Sequence, residues 1–248
     1  FRYEPKKFIT GTFDDWAYDS YGVFAFTIEF WSAARSAGVE VEDFIEFFRN
    51  PPEEAQLRML AWNDKELGGE GFVPWTPCEH PQLGRVELGG WKTKFTNQNP
   101  PPKFLKAECE KLARFALSHA STAPRLEARL EVEELSPGMR RIELIVENTG
   151  YLPTNVTRVA LDKKLVKAVK AEIKMPAGTS LVSGRAEVEL GHLTGRSALW
   201  GNRWKSAAFF DGLPSDYARR VVWVMRGEDP LQVEVSSERA GTVHLESG

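Results

Sequence analysis

The spacing of apolar residues changes near residue 124, and this change restricts the possible folds more than any other feature of the chain. From Lys103 to Ala120 the apolar residues recur at helical spacing, after a polyproline stretch that cannot lie inside a helix. From Leu126 to Val132, and again from Ile142 to Val146, apolar residues alternate with charged ones, as in half-buried strands. Two domains are therefore predicted, at residues 1–122 and 123–248.

The first domain has the pattern of an α/β protein. Gly22 to Trp31 is predicted to be a strand, and since both of its faces are largely apolar it should be covered on both sides. Two short helices are predicted at Val41 to Arg49 and Pro52 to Glu66. The frequent Gly, Pro and Trp residues between Gly68 and Pro102 predict an ordered loop region. Its large aromatic residues should be buried, because exposing them to water is costly. They are Phe72, Trp75, Trp91 and Phe95.

The second domain is predicted to be an all-β, immunoglobulin-like sandwich, because short alternating segments are separated by turn signals such as Ser136-Pro137-Gly138. The further strand candidates are Val156 to Ala160, Val169 to Lys174, Ala186 to Leu190, Ala207 to Phe210, Val221 to Met225, Leu231 to Val235 and Thr242 to Leu245.

Composition argues against two classes of partner. The 32 basic and 35 acidic residues are interspersed and give a net charge of −3, so no basic face is expected to bind nucleic acid. No stretch approaches the ~20 consecutive apolar residues of a membrane span. The chain starts at Phe1 without a signal-peptide pattern, so its natural start is expected elsewhere. Cys78 and Cys109 could form one disulfide or remain two thiols.

The segment from Gly11 to Glu29 carries the chemistry. Glu29 lies near the carboxyl end of the predicted buried strand, where α/β proteins collect their ligands. A buried carboxylate must be paired, protonated or functional, because burying a lone charge is expensive. The alternative to a functional role is a buried ion pair.

This segment resembles the zinc carboxypeptidase family. In that family the last catalytic residue lies on a strand of the form Phe-Thr-x-Glu, preceded by a glycine-containing loop with Asp-Trp-x-Tyr. Phe26-Thr27-Ile28-Glu29 and Asp15-Trp16-Ala17-Tyr18 match both parts, and Trp16 stands 13 residues before Glu29, as the family pattern requires. The resemblance implies that residues 1–122 are the C-terminal part of a catalytic domain, with a truncated mixed sheet and helices.

The resemblance also implies the reaction. The chain would belong to a metallocarboxypeptidase, a hydrolase that removes C-terminal residues from peptides or proteins. Glu29 would be the general base that takes a proton from a zinc-bound water and later delivers a proton to the leaving amine.

Two further residues are assigned to substrate binding by the resemblance. Asp14 corresponds to the pocket for the substrate's C-terminal side chain, where a carboxylate would favour Lys or Arg. The alternative for Asp14 is an ordinary turn or capping role. Tyr3 is the candidate for the family's mobile substrate-binding tyrosine, although this alignment requires a small insertion.

The zinc ligands of the family are missing from the sequence. The family binds zinc through a His-x-x-Glu pair and a later His, all before the catalytic glutamate. The four histidines are His80, His119, His192 and His244, and none precedes Glu29. The ligands are therefore expected upstream, and this chain alone is expected to be an inactive fragment that does not bind catalytic zinc tightly.

Two other functions stay open at this point. A related zinc amidohydrolase would keep the fold and change the substrate. A binding or adhesion protein would use the sandwich, with exposed aromatics such as Trp200 and Trp204 as contacts, unless these cover the core as most Trp residues do. Family analogy alone favours a secreted or periplasmic location.

Overall fold

The computed structural model describes residues 10–198 and 216–247, which divide into two compact units. Residues 28–116 form the first unit. The second contains residues 10–27 together with 117–198 and 216–247. Residues 10–27 therefore belong structurally with the later part of the chain. The described residues are rich in strands, with three antiparallel sheets and few helices.

The bounds of the elements are as follows. The helices are α1 (Phe13–Trp16), α2 (Ala33–Ser36), α3 (Phe44–Arg49), α4 (Glu53–Leu67), α5 (Thr93–Thr96), α6 (Pro102–Ala120) and α7 (Arg158–Asp162). The strands are β1 (Phe72–His80), β2 (Gly84–Trp91), β3 (Leu126–Ser136), β4 (Met139–Asn148), β5 (Val169–Lys174), β6 (Ser180–Ser183), β7 (Glu187–Gly191), β8 (Ala218–Arg226), β9 (Gln232–Ser237) and β10 (Gly241–Glu246).

The longer helices of the first unit begin and end at recognisable signals. The Asp43 carboxylate accepts a hydrogen bond from the Glu46 backbone N–H and caps α3. Pro52 precedes α4, and Gly68 ends it in the left-handed conformation. The predicted helices at α3, α4 and α6 are confirmed. Every helix in the described ranges falls short of the length and apolarity needed to span a membrane.

Aromatic packing holds the first unit together. The rings of Trp31, Trp62 and Phe104 lie 5.4 to 6.2 Å apart between centroids. The Trp31 indole Nε1 also donates a hydrogen bond of 2.7 Å to the Thr96 carbonyl. A small cluster of Ala34, Val39 and Ala55 lies elsewhere in the unit.

The prediction of a loop from residue 68 to 102 is wrong for part of this region. There β1 and β2 pair as an antiparallel hairpin, with Phe72 opposite Trp91. An irregularity between Val73 and Thr76 accommodates Pro74, which cannot donate to the ladder. The expected burial of the aromatics is also wrong in part, because Trp75 is 58% and Phe95 64% exposed.

Within residues 10–198 and 216–247, the strand predicted from Gly22 to Trp31 is not formed, and no mixed sheet is found for it to join. No residue of this segment has strand structure, and the described sheets are all antiparallel. The physical reason is that a strand needs a neighbour for its backbone N–H and C=O groups, and no described segment pairs with this one. Its apolar side chains are exposed as a result. They are Phe24, Phe26, Ile28 and Phe30.

The second unit is built on two four-stranded sheets, with strand orders β10-β9-β5-β7 and β3-β4-β8-β6. The alternation seen in the sequence sends one face of each strand into a shared hydrophobic cluster. Ile142, Leu144 and Trp223 from one sheet and Val169 and Val235 from the other are fully buried there. The predicted strands are confirmed at β3, β4, β5 and β7 to β10, while β6 was not predicted.

Two other strand predictions have different outcomes. The strand expected from Val156 to Ala160 is wrong, because the Thr157 hydroxyl accepts the Ala160 backbone N–H and starts the short helix α7. The strand expected from Ala207 to Phe210 lies outside the described residues.

Candidate functional site

The motif loop, defined here as residues 11–22, is a short helical structure. The Thr12 hydroxyl accepts the Asp15 backbone N–H and caps α1. A π-helical turn at Ala17–Tyr21 follows directly, and its backbone ends at Gly22, whose φ of 62° is left-handed. A π-helical turn inside a helix is frequently found at functional sites.

Only glycine fits at position 22. The residue is buried, and a Cβ atom added there would lie 2.6 Å from the Ala160 Cβ and 2.7 Å from its Cα. The left-handed backbone would strain any other residue as well. The end of the motif loop is thus seated directly on α7.

Asp14 contacts another residue of the motif. Its Oδ1 accepts a hydrogen bond of 3.4 Å from the Thr27 hydroxyl, across 13 positions of sequence. Hydrogen bonds from the Thr12 side chain and from its own backbone N–H hold the pKa of Asp14 below its usual range. The half-buried side chain is therefore a carboxylate at neutral pH and could pair with a cation.

Aromatic side chains of the motif loop remain accessible. The rings of Trp16 and Tyr21 meet edge to face at 4.9 Å, and Phe13 lies 5.8 Å from Trp16. All three are at least half exposed. Exposed, mutually packed aromatics of this kind are available to a ligand or to another protein segment.

Glu29 lies in the first unit, whereas Asp14 lies in the second. The prediction that Glu29 ends a buried strand is wrong, because its side chain is exposed and its backbone has no strand partner. Two residues later, Trp31 is fixed by its packing and its hydrogen bond to Thr96, and it adopts a left-handed φ of 74°. For a bulky residue this backbone is strained, so the structure holds this position tightly.

The described residues do not fit a zinc site. Among residues 10–198 and 216–247, no three His, Cys, Asp or Glu side chains are grouped so that they could hold a metal ion. The histidines have other surroundings. The His80 Nδ1 accepts the backbone N–H groups of Gln82 and Leu83, and the His119 ring packs edge-on against Phe26 at 4.8 Å. Burial lowers the pKa of His192.

Other predicted residues have simpler outcomes. Tyr3, Trp200 and Trp204 lie outside the described residues. Cys78 and Cys109 are free thiols, so the disulfide that the sequence left open is not formed.

Three residues that sequence reasoning missed contact the motif loop. Arg239 and Thr157 donate hydrogen bonds to its backbone, and Lys163 forms an ion pair with Asp19. They come from β9–β10 and the α7 region, far along the chain, and no motif marks them. Only the folded structure brings them to the loop.

Comparison with known proteins adds a family without a stated activity. Residues 125–247 match the family described as a domain of unknown function (DUF8731). No curated protein matches the chain. The matched residues contain both four-stranded sheets and α7 but not the motif loop, and they include Arg239, Thr157 and Lys163.

Proposed function

We propose that this chain is the C-terminal part of a zinc carboxypeptidase catalytic domain, followed by an immunoglobulin-like sandwich. The protein would remove C-terminal residues from peptides or proteins, with Glu29 as general base. The observation that carries the proposal is the match of residues 15–29 to the family pattern in both residue type and spacing.

The structure of the motif loop supports the proposal. Gly11 and Gly22, the first and last residues of the motif loop, both have left-handed backbones that favour glycine. Asp14, next to the matched Asp15, accepts a hydrogen bond of 3.4 Å from the matched Thr27. The loop part and the Phe-Thr-x-Glu part of the segment are therefore in contact.

Exposed apolar surface gives further support. α6 has no buried residue, and its Leu105 and Leu117 are 45 and 71% exposed. Large exposed apolar patches often mark a surface that another segment or protein covers. A catalytic-domain sheet supplied by other residues would cover the apolar stripe of this helix and pair with residues 22–31.

Zinc would have to be held by a part of the protein that this structure does not describe, because a catalytic zinc needs three protein ligands. The chemistry assigned to this chain is limited to Glu29. Its carboxylate would accept a proton from the attacking water and return one to the amine that leaves.

The two-sheet unit supports the sandwich part of the proposal. Both sheets are antiparallel, each has four strands, and their inner faces share one hydrophobic cluster. The chain passes repeatedly from one sheet to the other between β4 and β9, as in sandwiches of immunoglobulin type.

The experiment that tests the function uses the natural protein encoded by the gene that contains this sequence. It is incubated with peptides ending in Arg, Leu or Glu, and released amino acids are quantified with and without a chelator. We expect release that the chelator stops and zinc restores, whereas these 248 residues alone release nothing. Absence of release from every peptide would refute the proposal, and hydrolysis of acyl amino acids instead would identify an amidohydrolase.

Asp14→Asn is expected to change substrate preference. If the carboxylate pairs with a basic C-terminal side chain, kcat/KM for peptides ending in Arg should fall about 10- to 100-fold, since charged hydrogen bonds contribute ~1.5–3 kcal/mol. Peptides ending in Leu should be affected much less. Asp229→Asn, which changes an exposed aspartate of the same unit outside the motif, is the control. An equal loss for both peptides would show that Asp14 has only a structural role.

A further inference from the structure

The carbonyl of Gly22, the last residue of the motif loop, accepts hydrogen bonds from two side chains that lie far along the sequence in the same unit. The Thr157 hydroxyl donates to it at 2.7 Å, and the Arg239 Nη1 donates at 3.0 Å. Both lone pairs of this buried oxygen are thus satisfied, which fixes the orientation of the peptide that leaves the loop. The Gly22 N–H donates to the Tyr18 carbonyl at the end of the π-helical turn.

Arg239 connects the loop to the turn before α7. The same Nη1 atom also donates to the Asn155 carbonyl at 2.7 Å, and Nη2 donates to the Tyr21 carbonyl. Three carbonyls from two distant segments therefore meet on one planar cation. Burial lowers the pKa of Arg239, so this guanidinium has given up part of its hydration for these contacts.

A second cation holds the middle of the loop. The Lys163 Nζ forms an ion pair with the Asp19 carboxylate and donates at 3.4 Å to the Asp19 carbonyl. The pair is half exposed and contributes little stability by itself. It nevertheless joins the π-helical turn to Lys163, the residue that follows α7.

The surface that receives the loop is strained. Val156, between Asn155 and Thr157, has a φ of 64°, which is a genuine outlier for a β-branched residue. Such conformations cost of order 1–3 kcal/mol and persist where surrounding contacts impose them. Here the strained residue places the Asn155 carbonyl and the Thr157 hydroxyl where Arg239 and Gly22 meet them.

We propose that the domain at residues 125–247 is an intramolecular clamp that holds the motif loop in its working conformation, with Arg239 as the positioning residue. Holding the loop would be the role of this domain, for which the description of the matched family states none. The kinetic part of the inference rests on the proposed carboxypeptidase function, because Asp14 lies on the clamped loop and Glu29 follows it by seven residues. The structural part of the inference, that the domain holds the loop, does not rest on that function.

The test compares Arg239→Lys with Arg140→Lys in the natural protein. Arg140 is a matched control because it also donates from Nη2 to a carbonyl, that of Asp229, at 2.7 Å, in the same unit and without contacting the loop. Lysine keeps the charge but loses the planar fork that joins three carbonyls. Amide hydrogen exchange is measured for Gly22 and Val23, together with kcat and KM on a cleaved peptide.

For Arg239→Lys we expect exchange at Gly22 and Val23 to accelerate about tenfold, and kcat to fall about 10- to 100-fold, as expected for misplaced catalytic groups. KM should change less than kcat, and Arg140→Lys should leave all three quantities near wild type. A purely structural contact would instead lower the amount of folded protein without separating kcat from KM.

A second pair of variants covers the case in which Arg239→Lys does not fold. Thr157→Val removes the hydroxyl bond to Gly22 and should also accelerate exchange there, whereas Thr157→Ser keeps the bond and should restore protection. Wild-type exchange in Arg239→Lys would overturn the clamp, and where Arg239→Lys does not fold, wild-type exchange in Thr157→Val would do so. If the wild-type protein cleaves no peptide, the proposed function fails, while the exchange data still decide the clamp.

Discussion

Replacing Glu29 by glutamine is expected to lower kcat of the natural protein by about 10²- to 10⁴-fold, the usual contribution of general acid–base catalysis. Glutamine keeps the size and polarity of the side chain but cannot accept the proton of the attacking water. Substrate affinity should change little, because the carboxylate is required chiefly in the transition state. Initial rates on the best peptide from the substrate panel measure the effect.

The control for this substitution is Glu40→Gln, which changes an exposed carboxylate in the same unit. It should retain wild-type kcat. Metal content is measured in both variants, so that loss of the cofactor is not mistaken for loss of the base. Retained turnover in Glu29→Gln would refute the general-base role, whatever the activity of the protein.

Glu29 is exposed in the described chain, whereas the sequence predicted a buried carboxylate. The prediction now depends on the residue pattern and on the fixed position of Trp31 two residues later. Pairing of residues 22–31 with a neighbouring strand would bury the segment, and hydrogen exchange along it would detect that pairing.

Local pattern was sufficient where a strand could find its partners nearby. β5 was predicted from Val169 to Lys174 and has those bounds, since alternate residues face a core that the same domain supplies. Residues 22–31 have a similar apolar pattern but form no strand, because no described segment supplies a neighbour. Alternation reports how a strand would be buried, and pairing decides whether it forms.

Side-chain capping explains a second failure. Val156 to Ala160 is rich in β-branched residues, but the Thr157 hydroxyl caps the helical turn of α7 instead of facing a sheet. The candidate site likewise combines a contact inside the sequence motif with contacts to residues far along the chain. The Asp14 to Thr27 contact lies inside the recognised motif, whereas Arg239 reaches Gly22 across 217 positions and could not be predicted from spacing.

Replacing Trp223 by alanine is expected to destabilise the two-sheet unit by about 3–5 kcal/mol, the range for large aromatic residues deleted from a core. The side chain is fully buried, and its Nε1 donates to the Arg185 carbonyl at 2.7 Å. Gly184 leaves space for the indole ring, because a Cβ atom added there would lie only 2.5 Å from it. The surroundings are shaped around tryptophan, so they cannot close the cavity without breaking these contacts.

Urea unfolding followed by circular dichroism measures this loss without depending on tryptophan fluorescence. Val222→Ala is the matched control, because Val222 is the preceding residue on the outer face of β8 and is 39% exposed. It should cost about 1 kcal/mol or less, since exposed positions tolerate truncation. Equal midpoints for the two variants would contradict the assignment of Trp223 to the core. Arg239 and Thr157 belong to this unit and bind the Gly22 carbonyl. Trp223→Ala should therefore also loosen the motif loop, and faster amide exchange at Gly22 would show that the loop depends on the stability of the unit.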